Sequence, residues 1–213
     1  MTSERVDDRG QAFPIYIVVV AGMLFAAFAF FVVGQAALTR SNAQGAADAA
    51  ALAAARNARD HLVPGLDFAK FKPEDWEEVL RGDLLDSTGA CEEASGFAEQ
   101  NDASATCAPS LRKFTVEVTT NGTVGKSVIP GTDGVHGKAH ATAAIEPRCT
   151  LGDAPDPAPT PAPSATQTPI PTPTSASFVT FKCKGGKALV LDPSKPDPWR
   201  KLARTLFDVH LVD

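Results

Sequence analysis

The chain has 213 residues, a formal net charge of -5 and 44% hydrophobic residues. That length holds one ordinary domain with appendages, and an acidic balance without a basic cluster argues against a nucleic-acid partner. Phe13, Tyr16, Phe25, Phe28, Phe30 and Phe31 crowd into one N-terminal run, so any core built from the remainder must be modest and mainly aliphatic.

Residues 1–12 form a short polar tail. Residues 13–38 (FPIYIVVVAGMLFAAFAFFVVGQAAL) carry no charged side chain. As helix they extend about 39 Å at 1.5 Å per residue, longer than the roughly 30 Å hydrocarbon core, which predicts a tilted single span. Pro14 falls in the first turn, where its missing N–H is harmless. The competing reading is a cleaved signal peptide with Arg5 and Arg9 as its basic end, but the apolar run is well beyond the length of a secretory core segment. Arg5 and Arg9 before the span nearly balance Arg40 and Arg56 after it. Orientation therefore rests on the residues beyond the span. Four cysteines without metal-like spacing and a Pro/Thr tract suit an oxidising compartment. This places the N-terminus in the cytoplasm and the bulk of a cell-membrane protein outside it.

Residues 39–60 prolong the same helix. The stretch Arg40 to Arg56 (RSNAQGAADAAALAAAR) is more than half alanine, the strongest helix former, and Pro64-Gly65 is the expected stop. At 100° per residue, Arg40, Ser41, Gln44, Asp48 and Arg59 gather on one side, with Gln44 and Asp48 spaced to pair. The other side is methyl groups. Ala43, Ala46, Ala50 and Ala53 have the 3-4-3 spacing of a helix-packing seam. Small residues permit close backbone approach, and two partners fit that face equally: the protein's own domain, or another helix.

Residues 61–152 read as a small α+β domain, mainly antiparallel, with short helices. Pro73 to Leu80 (PEDWEEVL) has Pro at its first turn and acids near its N-terminus, with Trp76, Val79 and Leu80 on one face. Asp86 to Pro109 is loop-like. Phe114, Val116 and Val118 alternate with polar residues as in a half-buried strand, Asn121-Gly122 offers a tight hairpin turn, and Val135 to Ile145 alternates again. Residues 153–177 hold eight of the seventeen prolines; they favour solvated polyproline II and read as a disordered linker or insertion, or alternatively a glycosylated stalk. Residues 178–213 offer a hairpin, Phe178 to Cys183 and Lys187 to Leu191 about Gly185-Gly186, then a helix from Pro198 capped by Asp197. Thirty-six residues are too few to fold alone, so this piece is expected to pack on the same domain. Four cysteines allow three pairings. Cys91 with Cys107 and Cys149 with Cys183 is the expected set, the second pair bracketing the proline tract.

Chemistry is sparse. No phosphate loop, nucleophile elbow or zinc-protease helix is present. His136 and His140 share a strand face with Lys138 between them, which reads as a solvated face rather than a metal site. Glu74, Asp75, Glu77 and Glu78 are helix-start charges. The cysteines lack the basic surroundings of reactive thiols. The expectation is a non-enzyme without cofactor, metal or identifiable small-molecule substrate.

Asp8 to Ala12 (DRGQA), one span, and then R-x3-Q-x-A-A-D-A-A-A-L-A-A-A from Arg40 to Ala55 resemble the N-terminal region of TadE/TadG-like pilus-assembly proteins of the tight-adherence (Flp pilus) system, over about residues 8–60. The resemblance implies an outward-facing, membrane-anchored protein with a structural role in pilus assembly or secretion, its partners met through the Ala-rich helix. Pilin-like members cut by a prepilin peptidase carry Gly before the cut and Glu at the fifth mature position. Counted from Gly10, that position is Ile15, so the resemblance implies an uncleaved TadG-like anchor. The alternative from a different class is a membrane-anchored extracytoplasmic binding or sensing module.

Overall fold

The computed structural model describes residues 12–62, 67–125, 131–152, 178–193 and 199–212. The polar tail, the Pro64-Gly65 stop, the proline tract and the Asp197-Pro198 cap lie outside the described residues. Helix α1 (Ala12–Asp60) is one unbroken rod of 49 residues, about 74 Å at 1.5 Å per residue. After it come a 3-10 turn (Phe68–Lys70), α2 (Pro73–Arg81) and α3 (Ala90–Gln100). The remaining elements are β1 (Ala103–Ser110), β2 (Lys113–Thr123), β3 (His136–Pro147), β4 (Cys149–Leu151), β5 (Val179–Cys183), β6 (Lys187–Leu191), α4 (Trp199–Leu206) and β7 (Phe207–Val212). The class is α+β, with a long apolar N-terminal helix and a small antiparallel domain.

Two sheets form that domain, one of order β1-β2-β3-β7 and one of order β4-β5-β6, antiparallel throughout. The strand alternation read from the sequence has a physical counterpart. Phe114, Val116 and Val118 of β2 and Ala141, Ala143 and Ile145 of β3 are buried, on the side where the C-terminal half of α1 packs across the larger sheet. Helix α2 buries Trp76, Val79 and Leu80; its N-terminus is fixed by Pro73 in the first turn and by the Lys72 N–H donating to the Asp75 carboxylate at 2.8 Å. Trp76 stacks with Phe68 (centroids 5.2 Å apart) and meets Phe71 and Phe181 edge-on at 5.2 and 5.5 Å. This aromatic group joins α2 to the smaller sheet. In the β5–β6 hairpin, Gly185 and Gly186 take φ of 88° and 75°, values other L-residues rarely adopt.

The disulfides are Cys91–Cys107, which ties α3 to β1, and Cys149–Cys183, which joins residues directly opposite each other on β4 and β5.

Three sequence expectations fail. The segment Asp86 to Pro109 is not a loop: α3 docks Ala90, Ala94 and Ala98, one helical face at i, i+4 spacing, and β1 pairs with β2 along its length. Methyl-sized core residues leave no hydrophobic contrast for periodicity to detect. Asn121-Gly122 is not a turn. Strand β2 runs through it with an irregularity in register between Thr119 and Thr123. There Thr120 Oγ1 donates to the Gly122 carbonyl (2.7 Å) and accepts from the Gly137 N–H (2.9 Å), so a side chain replaces the missing ladder bond. Finally, the chain does not end on a helix: β7 begins directly after α4 and pairs with β3 from Thr142↔Val212 to Pro147↔Phe207. The side chain of Trp199 lies outside the described residues, while Leu206 is buried and Leu202 packs against the core.

Candidate functional site

No catalytic arrangement emerges among the described residues, and the feature with a function to explain is α1 itself. Its two halves meet different surroundings. From Phe13 to Leu38 nearly every large apolar side chain is exposed, among them Phe25 at 75% and Phe30 at 79%. By length and composition this is a helix able to cross a membrane. From Ala43 onward the environment inverts: Ala43, Ala46, Ala47, Ala50, Ala51, Ala53, Ala54, Ala55 and Ala58 are all buried.

The four seam residues are covered by the protein's own domain. Ala43 faces Gly137 of β3. Ala46 lies beside Gln100 and Thr120, and Ala53 beside Glu93 and Phe97 of α3. Of the two partners open to this face, the chain's own sheet and α3 occupy it. In this fold Ala43, Ala46, Ala50 and Ala53 are buried within the chain itself. The buried arc is also wider than a seam, because Ala47, Ala51, Ala54, Ala55 and Ala58 extend it. Helix–helix contact between alanine faces (Ala90, Ala94 and Ala98 on α3) explains why small residues occupy both sides: larger ones would hold the rods apart.

The polar side is as drawn from the helical wheel at one pair: Gln44 Nε2 donates to Asp48 Oδ1 at 2.8 Å. On this side Arg40, Ser41 and Gln44 are exposed. Beside this ridge, a polar groove of about 600 Å³ lies between Thr39, Ser41, Asn42, Gln100, Asp102 and Thr123. His136 and His140 stand on an exposed strand face; His136 Nδ1 is 2.7 Å from the Thr120 carbonyl oxygen, to which it donates. Among the described residues no three His, Cys, Asp or Glu side chains converge as metal ligands would.

Where β3 passes α1, the approach requires glycine. A Cβ on Gly137 would stand 2.6 Å from the Thr39 carbonyl oxygen and 3.2 Å from Ala43 Cβ. Gly137→Ala is expected to cost about 1–3 kcal/mol as overpacking, read as a lower midpoint in urea unfolding of the detergent-solubilised chain. Gly134→Ala, with open space around it, should leave that midpoint unchanged.

The C-terminal end of α1 is locked electrostatically. Asp60 carries a negative charge at the negative end of the helix dipole, and it is held by Arg59 Nε (2.9 Å) and by Arg204 of α4 (Nη2 to Oδ2, 2.7 Å). Burial works against its ionisation, but the hydrogen bonds and charges of Arg204 and Arg59 outweigh burial and hold its pKa below the ordinary 3.8. A depressed folded pKa gives stability that is present above about pH 4 and lost as pH falls through the folded value. The wild type should therefore lose more stability than Asp60→Asn across the acid range below pH 4, seen as a steeper fall of the unfolding midpoint. Arg204 is 59% exposed, so salt will reduce the difference.

Residues 10–57 match the family model described as "Putative Flp pilus-assembly TadE/G-like". The matched stretch is the apolar half of α1 and most of its buried alanine half, and it stops before the sheets begin. No curated protein and no solved structure gives a significant match to the chain.

Proposed function

We propose that this protein is a single-pass anchored component of a Flp-type pilus or an allied secretion assembly, with a structural rather than catalytic role and its sheet domain on the extracytoplasmic side. One observation carries the reading: the exposed apolar half and the buried alanine half are a single helix without a break. A domain mounted in this way cannot swivel freely about its anchor, so force or position imposed on residues 13–38 is transmitted to both sheets. The TadE/G-like match over residues 10–57 covers this rod, and the two disulfides suit an oxidising compartment. With the methyl seam occupied internally, the surfaces left for assembly partners are the apolar half within the bilayer and the exposed ridge of Arg40, Ser41 and Gln44.

The test has two parts. An alkaline phosphatase fusion after Asp213 should be active if the sheet domain is outside; inactivity there, with activity of a fusion before the span, reverses the orientation. Deletion of the gene in its host should then reduce surface pili counted by electron microscopy, with recovery by the intact gene. Normal piliation in the deletion strain would remove the assembly role and leave the alternative, a membrane-anchored binding or sensing module, in its place.

A further inference from the structure

Helix α3 lies along one stripe of α1, and few side-chain contacts besides a disulfide hold it there. Grooves between the two helices are lined by Ala46 and Gln100 at one end, by Ala53, Glu93 and Phe97 further along, and by Asn57 and Gly89 at the other end. Ala46, Ala50, Ala53 and Asn57, at i, i+4, i+7 and i+11, therefore form the stripe beneath α3. On its buried side α3 contributes only Ala90, Ala94 and Ala98, three methyl groups, while its one aromatic side chain, Phe97, is left 36% exposed. The contact is also imperfect. Asn57 Oδ1 is buried with no hydrogen-bond partner among the described residues, and about 280 Å³ stays open between Asn57, Gly89, Gly96 and Phe97.

The helix has little stability of its own. Its eleven residues are fewer than an isolated helix needs in water, Gly96 weakens its interior, and Gly89 at its N-terminus offers no capping side chain. The strong tie is Cys91–Cys107, which fastens the first turn of α3 to the middle of β1. Cys91 and Cys107 are both half-buried, whereas Cys149 of the other disulfide is buried. We propose that α3 is a redox-held latch on α1, closed while Cys91–Cys107 is oxidised and released when a dithiol reductant opens that bond. A thiolate of the reductant attacks one sulfur and forms a mixed disulfide as the Sγ–Sγ bond breaks, and the reductant's second thiolate then displaces the protein. The reductant ends as a disulfide, and its two electrons and two protons reside on the Cys91 and Cys107 thiols. Once released, α3 frays, because three methyl contacts do not offset the ordering of eleven residues. Ala46, Ala50 and Ala53 are then uncovered on one side, and α1 keeps only its packing on the sheet. The joint between rod and domain becomes more compliant. That consequence rests on the proposed anchoring role, whereas the latch itself is independent of which side of a membrane the domain occupies.

The test follows amide hydrogen exchange by mass spectrometry on the full chain in detergent micelles. Cys91→Ser combined with Cys107→Ser leaves Cys149–Cys183 in place. A parallel wild-type sample is treated with dithiothreitol, a dithiol, and alkylation with peptide mapping shows which disulfide has opened. The expected result is exchange about tenfold faster or more across residues 92–100 in both samples, while amides of β2 and β3 keep their wild-type rates. Adding Gly96→Ala to the double variant should slow exchange in α3 again severalfold, because a Cβ there meets nothing within 4 Å and alanine raises helix propensity. If α3 keeps its protection without the disulfide, the bond does not hold the latch and the proposal is wrong. If β2 and β3 lose protection together with α3, the helix is an inseparable part of the domain, which also overturns it. If Gly96→Ala slows nothing, marginal helix stability is not what opens α3, and the proposal fails on that count.

Discussion

Trp76→Ala is expected to destabilise the domain by about 3–5 kcal/mol, the range for removing a buried aromatic side chain. The indole is 1% exposed and holds Phe68, Phe71 and Phe181 around it. Because Phe181 belongs to β5, the cavity opens at the junction between α2 and the smaller sheet. The loss should be local before it is global. Hydrogen exchange should accelerate first in β4, β5 and β6, while amides of β2 and β3, packed on α1, keep their protection until the whole domain unfolds. Trp76→Phe should cost far less. The indole N–H is buried without a hydrogen-bond partner among the described residues, so the phenyl ring gives up volume but also removes an unsatisfied donor. Denaturant titrations of both variants decide the matter; equal losses would mean that retained ring volume does not set the stability of this junction and that the phenyl ring fails to replace the indole's contacts.

The legibility of this fold in the sequence depends on the size of its core side chains. Where large residues alternate or recur, as at Phe114, Val116 and Val118 or at Trp76, Val79 and Leu80, periodicity locates the element and its buried face. Where the core is made of alanine, the pattern carries little contrast. Helix α3 is invisible in the sequence because Ala90, Ala94 and Ala98 look no different from the alanines of a loop, and β1 (ASATCAPS) alternates only small side chains and ends near a proline that an edge strand tolerates. Strand β7 is a different kind of miss. Phe207, Val209 and Leu211 alternate plainly, but an amphipathic helix immediately before them claims the same residues for its continuation.

The alanine face shows the limit most clearly. Its existence and its need for a close partner are readable at 3.6-residue spacing, although the buried arc extends beyond the seam to Ala47, Ala51, Ala54, Ala55 and Ala58. What it touches is not, since a methyl surface is equally suited to any small-residue face. The answer depends on Gly137 and on the alanines of α3, which only tertiary structure brings near. That outcome changes how the rod works: the small residues join the long helix to its own sheet and to α3.

The same welding logic applies at the far side of the domain, where the replacement of both Cys149 and Cys183 by alanine should cost about 3–4 kcal/mol. The bond closes a loop across a sequence separation of 34, and in the chain-entropy model that closure restricts the unfolded ensemble by this amount. Cys149 is also buried, at 3% exposure, among residues that include Phe181 and Leu206, so its loss adds a packing term of the same sign. By contrast, deleting ten residues from within 153–177 in the disulfide-bonded protein should shift stability by less than about 0.6 kcal/mol, because closure entropy varies only with the logarithm of loop length. The two experiments together separate a tract that merely fills the loop from one that packs. If the ten-residue deletion costs as much as losing the disulfide, the tract contributes contacts of its own and is no spacer. If the double alanine variant unfolds with an unchanged midpoint, pairing of β4 with β5 and the Trp76–Phe181 contact hold the smaller sheet without covalent help.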